Sequence, residues 1–204
     1  MEDVIAVSAG SSHTMAITSD GVLWGWGRNF SGQLGNGTNK NSSNPIKIME
    51  DVIAVSTGTS LTMAITSDDV LWAWGRNGAP FIESSWLGDG TNEDQSSPVK
   101  IMNDVKYISA SGPRSFAITK DGTLWGWGDN RQGELGDGTF VNRMRPVRIM
   151  DDVVSVSAGD YHTLAVTSDG VLWAWGNNRW GQIGNGTTNT RITPARIMDN
   201  IKLP

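Results

Sequence analysis

Short apolar runs separated by turn residues recur along the whole chain, and their alternation is that of β-strands. In the first segment, Val4 to Ala9, Thr14 to Thr18 and Val22 to Trp26 are rich in β-branched and aromatic residues. A weaker fourth run, Ile46 to Met49, follows a proline. Asp20-Gly21, between the second and third runs, is typical of a tight hairpin, because glycine supplies the positive φ that twisted strands need. The pattern predicts four short antiparallel strands and no helix.

This segment occurs four times. Pairs of tryptophans separated by one residue recur at steps of 48, 53 and 48 residues. A period in this range is typical of propellers, solenoids and arrays, in which neighbouring units cover each other's apolar faces. We therefore predict an all-β fold, a β-propeller of four four-stranded blades in one domain, 1–204. The repeats are predicted at about residues 3–50, 51–103, 104–151 and 152–199, with 200–204 re-entering the first strand of a further repeat.

The tryptophan pairs are predicted to be structural. Residues two apart in a strand share a face. We expect Trp24 and Trp26 to form a large face together with Met15 and Ile17, with Gly25 on a smaller opposite face. The large face of each blade would pack on the small face of the next. The eight tryptophans predicted to form this core are Trp24, Trp26, Trp72, Trp74, Trp125, Trp127, Trp173 and Trp175.

The repeat resembles that of the family named after the regulator of chromosome condensation. The family's pattern is present as Gly10 followed by His13-Thr14-Met15-Ala16, then Asp20-Gly21, Trp26-Gly27 and Gly32-Gln33-Leu34-Gly35-Asn36-Gly37. The fourth copy matches nearly as well, and the resemblance covers essentially the whole chain. It implies a β-propeller of four-stranded blades, commonly seven in this family, so four blades would form half or part of a propeller.

Two copies depart from the pattern. In the second, Leu61 replaces the histidine, Asp69 replaces the turn glycine, and the stretch 78–86 is longer by five residues. In the third, Arg114 replaces the histidine and Glu134 replaces the glutamine. These departures cluster in the middle of the chain, where a partner could be held.

Composition and charge exclude several classes of protein. The net charge is −5 and basic residues are not clustered, which argues against nucleic-acid binding. The chain has no cysteine, so it has neither disulfides nor thiolate metal sites. No apolar run has membrane-spanning length, and the N-terminus lacks the features of a signal peptide. The compartment stays open, with a secreted or cell-surface bacterial protein favoured over a cytoplasmic one.

No residue pattern points to catalysis or to a cofactor. His13 and His162 are equivalent in the repeat, and the other copies have Leu61 and Arg114 there, so a structural role is predicted. Catalytic-triad order, phosphate-binding loops and zinc spacings are all absent from the sequence. We predict a non-enzymatic chain with no catalytic, cofactor-binding or metal-binding residues. Four Asx-Gly-Thr sites lack the ligand spacing of a calcium loop and are interpreted as Asx turns: Asn36, Asp89, Asp137 and Asn185.

The loop after the third strand is the variable part of the repeat. Aromatic and arginine side chains on such loops above a constant scaffold are typical of binding sites, although ordinary loop drift explains the variation equally well. The residues predicted to bind a partner are Phe30, Phe81, Trp86, Arg131, Phe140, Arg179 and Trp180.

The function predicted from these features is that of a protein-binding scaffold with an unidentified protein partner. One alternative is inhibition of serine β-lactamases or penicillin-binding enzymes, because a secreted bacterial inhibitor resembles this family in its W-G…G-Q-L-G repeats. Another is guanine-nucleotide exchange on a Ran-like GTPase, the activity of the family's founding member. A third is an architectural array at a cell surface. A homodimer through the end blades is also predicted, since head-to-tail joining would cover both terminal faces and give an eight-bladed ring. The alternative is that the chain is a fragment of a longer propeller.

Overall fold

The computed structural model describes residues 2–78 and 85–202, which form four antiparallel four-stranded sheets and, within those ranges, no helix. Strands follow each other in chain order in every sheet. The first blade contains β1 (Val4–Ala9), β2 (His13–Thr18), β3 (Leu23–Gly27) and β4 (Ser42–Met49), and the second β5 (Val52–Thr57), β6 (Leu61–Thr66), β7 (Leu71–Gly75) and β8 (Gln95–Met102). The third contains β9 (Val105–Ser111), β10 (Arg114–Thr119), β11 (Leu124–Gly128) and β12 (Arg143–Met150), and the fourth β13 (Val153–Ala158), β14 (His162–Thr167), β15 (Leu172–Gly176) and β16 (Arg191–Met198). The predicted all-β, four-bladed architecture is confirmed.

The outermost strand of each blade is longer than the sequence predicted. In the first blade it begins at Ser42, three residues before Pro45. Its register against β3 shifts between the pairs Gly25↔Ile46 and Gly27↔Ser42. Pro45 therefore lies at a bulge on an edge strand, where its missing N–H disrupts no ladder.

The hairpin between the second and third strands is a four-residue loop with a left-handed residue. Gly21 has φ +79°, and its N–H donates to the carbonyl of Thr18 at 2.8 Å. The Thr18 hydroxyl donates to Asp20 at 2.6 Å, which also holds the pKa of that exposed carboxyl below its usual value. In the second blade Asp69 takes the same conformation, with φ +63°. Asp is one of the few residues that tolerate this region, so the blade keeps its hairpin despite the loss of the turn glycine.

The predicted assignment of side chains to blade faces is wrong. Met15 lies directly opposite Gly25 across the β2–β3 ladder, whereas Ala16 lies opposite Trp24 and Thr14 opposite Trp26. Opposed residues share a face in an antiparallel pair. Each blade therefore has a tryptophan face, which in the first blade carries Thr14, Ala16, Trp24 and Trp26, and an aliphatic face, which there carries Met15, Ile17 and Leu23.

The core consists of three seams, each joining the aliphatic face of one blade to the tryptophan face of the next. In the first seam Met15 and Ile17 pack with Ala64 and Trp74. The second and third seams repeat this arrangement around Trp127 and Trp175. These three tryptophans are fully buried, whereas the other five predicted core tryptophans are half-buried: Trp24, Trp26, Trp72, Trp125 and Trp173.

Candidate functional site

The loops that follow the third strand of each blade lie at the same end of the sheets as the loops between the first and second strands. The Arg28 N–H donates to the carbonyl of Ser12 at 2.8 Å, and the equivalent bond joins Arg76 to Ser60. We call this end of the blades the loop rim. One such loop from each blade contributes to it, so the predicted partner-binding residues lie on one surface, apart from Phe81, which is outside the described residues.

Each rim loop is fixed by a fully buried asparagine that the sequence analysis did not single out. The Asn29 side-chain amide donates to Asn36 and to the carbonyls of Thr38 and Lys40 at 2.8–3.1 Å. Its Oδ1 accepts the Leu34 N–H at 2.8 Å. Equivalent bonds are made by Asn77, Asn130 and Asn178, all fully buried. Satisfied buried networks of this kind hold a loop in one conformation.

The four Asx-Gly-Thr sites are Asx turns, as predicted. In the first, Asn36 Oδ1 accepts both the N–H and the hydroxyl of Thr38, at 3.2 and 2.9 Å. Burial raises the pKa of Asp137, but hydrogen bonds from Thr139 and Arg143 outweigh this and leave it below its usual value. Among the described residues there is no cluster of histidine and acidic side chains able to hold a metal ion.

Trp180 and Phe30 are the most exposed aromatic side chains of the loop rim. Trp180 is 80% exposed and Phe30 63% exposed. The Arg179 guanidinium lies 5.1 Å from the centroid of Trp180, and that of Arg28 lies 5.2 Å from the centroid of Phe30. These distances are those of cation–π contacts. Phe140, 55% exposed, lies in the loop between β11 and β12.

Trp86 is not exposed as the other rim aromatics are. It is half-buried, and Arg76 stacks 4.9 Å from its centroid. Its carbonyl accepts the Trp127 indole N–H at 3.1 Å and the Ser115 hydroxyl at 2.9 Å. The carbonyls of Gln33 and Glu134 accept the same two bonds in the other seams, so Trp86 is the repeat equivalent of these residues. Its backbone therefore has a structural role whatever its side chain binds.

Arg131 lines a depression of about 370 Å³ in the rim of the third blade. Asp129, Asp160 and Tyr161 also line it, so its wall combines both signs of charge with an exposed aromatic ring. Arg114 and Glu134 also line it, and the buried Arg114 is bonded to Glu134 at 3.1 Å and to the carbonyl of Gly159. The ion pair lies within the third blade, and the bonds from Arg114 to the carbonyls of Gly159 and Asp160 join that blade to the fourth.

The two histidines occupy different environments despite their equivalence. His13 is buried in the first seam, where Nε2 donates to Thr62 Oγ1 at 3.0 Å and Nδ1 has no partner. The Thr62 hydroxyl itself donates to the carbonyl of Gln33, which fixes this direction. Burial lowers the pKa of His13 to about 4, because the charged ring would bury an unpaired Nδ1–H. His162 is half-exposed, since no fifth blade covers it in the described chain.

This burial predicts a pH-dependent stability. The unfolded chain binds a proton at His13 from about pH 6.5, whereas the folded protein does so only from about pH 4. Between these values the unfolded state holds more protons, so the free energy of unfolding falls as the pH drops from 6.5 to 4, by up to about 3 kcal/mol. Chemical denaturation across this range measures it. His13→Leu, which copies Leu61, should flatten the slope; an unchanged slope would contradict the assignment.

Comparisons with known proteins agree with this architecture. The RCC1-like domain model matches residues 1–203. The ultraviolet-B receptor UVR8 of Arabidopsis thaliana is 31% identical, over 65% of this chain and 31% of its own length. The X-linked retinitis pigmentosa GTPase regulator of Canis lupus familiaris is 30% identical, over 63% of this chain and 13% of its own. The chain thus spans a third or less of the length of these curated relatives.

A solved structure shows the same blades. Prp20p of Saccharomyces cerevisiae, studied for its binding to Gsp1p and histones, superposes with a TM-score of 0.81 at 22% identity. The superposition covers 96% of this chain and 50% of Prp20p, so the four blades correspond to half of that chain. On its residues and its blades, the chain belongs to the RCC1-like domain family.

Proposed function

We propose that the chain is a non-enzymatic propeller segment that binds a protein partner through the loop rim. The observation that carries this proposal is the side chain of Trp180, which is 80% exposed on a loop whose backbone is pinned by the buried Asn178. Exposing a large aromatic ring to water is unfavourable, and rigid aromatic and arginine anchors dominate protein interfaces. Arg179, Phe30 and Arg131 extend the same surface across three blades.

The relatives support a protein partner over a small molecule. Prp20p is described with Gsp1p and histones, and a related structure shows Kap60 bound to it. Guanine-nucleotide exchange stays the alternative implied by the family resemblance, and the name of the X-linked retinitis pigmentosa GTPase regulator supports a GTPase as the partner class. Inhibition of serine β-lactamases rests on the repeat motifs alone, since none of the relatives reported above is such an inhibitor.

We also propose that the chain self-associates through its end blades. The tryptophan face of the first blade and the aliphatic face of the fourth have no neighbour in the described chain. Exposed apolar faces of this kind normally mark interfaces.

A binding measurement with matched variants tests the rim proposal. The immobilised protein is presented with a purified Ran-type GTPase, a class A serine β-lactamase and a displayed protein library, and each captured partner is titrated. Arg179→Ala/Trp180→Ala should weaken capture by at least about tenfold. It should change the free energy of unfolding by less than about 0.5 kcal/mol.

Tyr107→Ala is the matched control, because it also removes an exposed aromatic ring but lies on β9, away from the rim loops. It should leave the affinity unchanged. Equal affinity of wild type and the Arg179/Trp180 variant for every captured partner would contradict rim binding. Accelerated nucleotide release from the GTPase, or loss of β-lactamase activity, would identify which alternative applies.

A further inference from the structure

The two terminal faces of the blade array expose apolar side chains whose equivalents inside the array are buried. Val7 on β1 is 71% exposed, although the equivalent Val156 is 2% exposed against the third blade. At the other end, Met198 on β16 is 52% exposed, whereas Met150 packs into a seam. Both terminal faces thus have the composition of a seam without its second half.

The internal seams show which polar groups the missing halves must carry. At each seam a carbonyl of the preceding rim loop accepts two bonds from the following blade, one from a hydroxyl and one from an indole N–H. In the first seam the Gln33 carbonyl accepts from Thr62 Oγ1 at 2.8 Å and from Trp74 Nε1 at 3.0 Å. In the third, the Glu134 carbonyl accepts from Thr163 and Trp175, both at 2.8 Å.

The ends of the chain carry the two complementary parts of this seam. The fourth blade presents the Gln182 carbonyl and the half-exposed His162, in the positions of Gln33 and His13. The first blade presents Thr14 and Trp26, in the positions of Thr62 and Trp74. Every molecule therefore displays an acceptor end and a donor end built from the residue types that bond in the first seam.

We propose that a second copy of this chain docks the tryptophan face of its first blade on the aliphatic face of the fourth blade. In this seam His162 and the Gln182 carbonyl meet the second copy's Thr14 and Trp26, and Met198 covers Val7. The inference rests on the proposed self-association and specifies its geometry as head-to-tail. If both ends engage, two copies close into an eight-bladed ring with two-fold symmetry.

The residues after β16 compete with this docking. The Ile201 N–H donates to the carbonyl of Gly170 at 2.9 Å, which is the bond that Val52 makes to Gly21 in the first seam. The incoming Val4 requires the same carbonyl, so Asn200 and Ile201 must move aside. Deleting residues 200–204 should therefore strengthen association, by about tenfold or less since one bond and a short contact are involved.

Sedimentation velocity and light scattering at micromolar concentration test the proposal on the full chain. The wild type should have twice the 22.0 kDa mass of one chain. Val7→Lys and Met198→Lys each place a charge in the seam and should weaken association by on the order of 100-fold. Both side chains are more than half exposed in the single chain, so neither substitution should prevent folding.

Ile5→Lys is the matched control. Ile5 is 65% exposed on the same strand, but its equivalents Ile53 and Lys106 are exposed inside the array as well. Position 5 therefore lies outside the seam, and Ile5→Lys should leave the mass of the assembly unchanged. A mixture of the Val7→Lys and Met198→Lys variants retains one intact donor end and one intact acceptor end. It should recover a two-chain species that neither variant forms alone, which no symmetric head-to-head contact would produce.

Three results would overturn the inference. A monomeric wild type would contradict self-association and this geometry together. A wild-type dimer unaffected by both lysine substitutions would contradict only the geometry. Failure of the mixture to recover a two-chain species would contradict the head-to-tail direction. None of these variants touches Arg179 or Trp180, so the rim proposal is judged separately.

Discussion

Trp127→Ala is expected to lower the free energy of unfolding by about 4 kcal/mol. The Trp127 ring is fully buried in the seam between the second and third blades, in the same core cluster as Met63 and Leu87. Its indole N–H also donates to the Trp86 carbonyl at 3.1 Å. The substitution therefore removes a large apolar contact, leaves a cavity and takes away one of the two hydrogen bonds of the Trp86 carbonyl. Urea denaturation followed by circular dichroism measures the loss.

Two matched substitutions separate the stability that comes from burial in a seam from the effect of losing any tryptophan. Trp26 is the repeat equivalent of Trp127 but has no preceding blade in the described chain, so Trp26→Ala should cost distinctly less than Trp127→Ala. Trp180→Ala, on the exposed rim, should change stability by no more than about 0.5 kcal/mol. Equal losses at Trp26 and Trp127 would show that packing between blades is not the main source of stability. Because dimerisation would cover Trp26, the comparison is made at a concentration where the protein is monomeric.

The sequence was sufficient for the strands and the repeat, but not for the faces of the blades. Alternation along β2 correctly grouped Met15 with Ile17, and alternation along β3 grouped Trp24 with Trp26. Which of these groups share a face depends on the register between the two strands, and the hairpin loop sets that register. Five residues, 18 to 22, lie between the paired residues Ile17 and Leu23, and this odd number puts the tryptophans on the face away from Ile17. A one-residue error in loop length exchanges the faces.

The buried asparagines were recoverable from the sequence, yet the repeat alignment did not reveal their role. Asn29, Asn130 and Asn178 each stand five residues before an aliphatic residue and Gly, within segments that otherwise vary. Constancy inside a variable loop indicates a structural requirement, and here the side chain bonds the backbone of that same loop. In the second blade the longer segment between Asn77 and Leu87 hid the equivalence of Trp86 with Gln33. A partner-binding role for its side chain stays a prediction.

The third seam differs from the first at three coupled positions. His13 comes close to Gly10, where an added Cβ would lie 2.3 Å from the ring, so a histidine there requires glycine. In the third blade Arg114 extends away to Glu134, and Ser111 stands at the glycine's place. The arginine at 114 therefore permits a side chain at 111 and requires the carboxylate at 134. Arg114 and Glu134, which the sequence placed in a region where a partner could be held, therefore have a role within the seam.

Arg114→His or Glu134→Gln alone is expected to lower the free energy of unfolding by about 3 kcal/mol or more. Each leaves a charged partner in a site where both side chains are almost fully buried. Burial lowers the pKa of Arg114, and the Glu134 charge acts in the opposite direction. Chemical denaturation at neutral pH measures both losses, and losses below about 1 kcal/mol would mean that the pair contributes little.

The triple variant Ser111→Gly/Arg114→His/Glu134→Gln should return to within about 1 kcal/mol of the wild type, because it rebuilds the first seam in the third. The new histidine can bond Thr163 as His13 bonds Thr62, and a glutamine at 134 can accept the Gln132 N–H as Gln33 accepts that of Ser31, at 3.0 Å. Omitting Ser111→Gly should forfeit much of the recovery, since its Cβ would press on the ring. A triple variant as unstable as the single ones would show that the seams are not interchangeable. Recovery would instead establish that neighbouring blades are joined by a small set of exchangeable polar connections, the property on which the proposed docking of a second copy on the fourth blade depends.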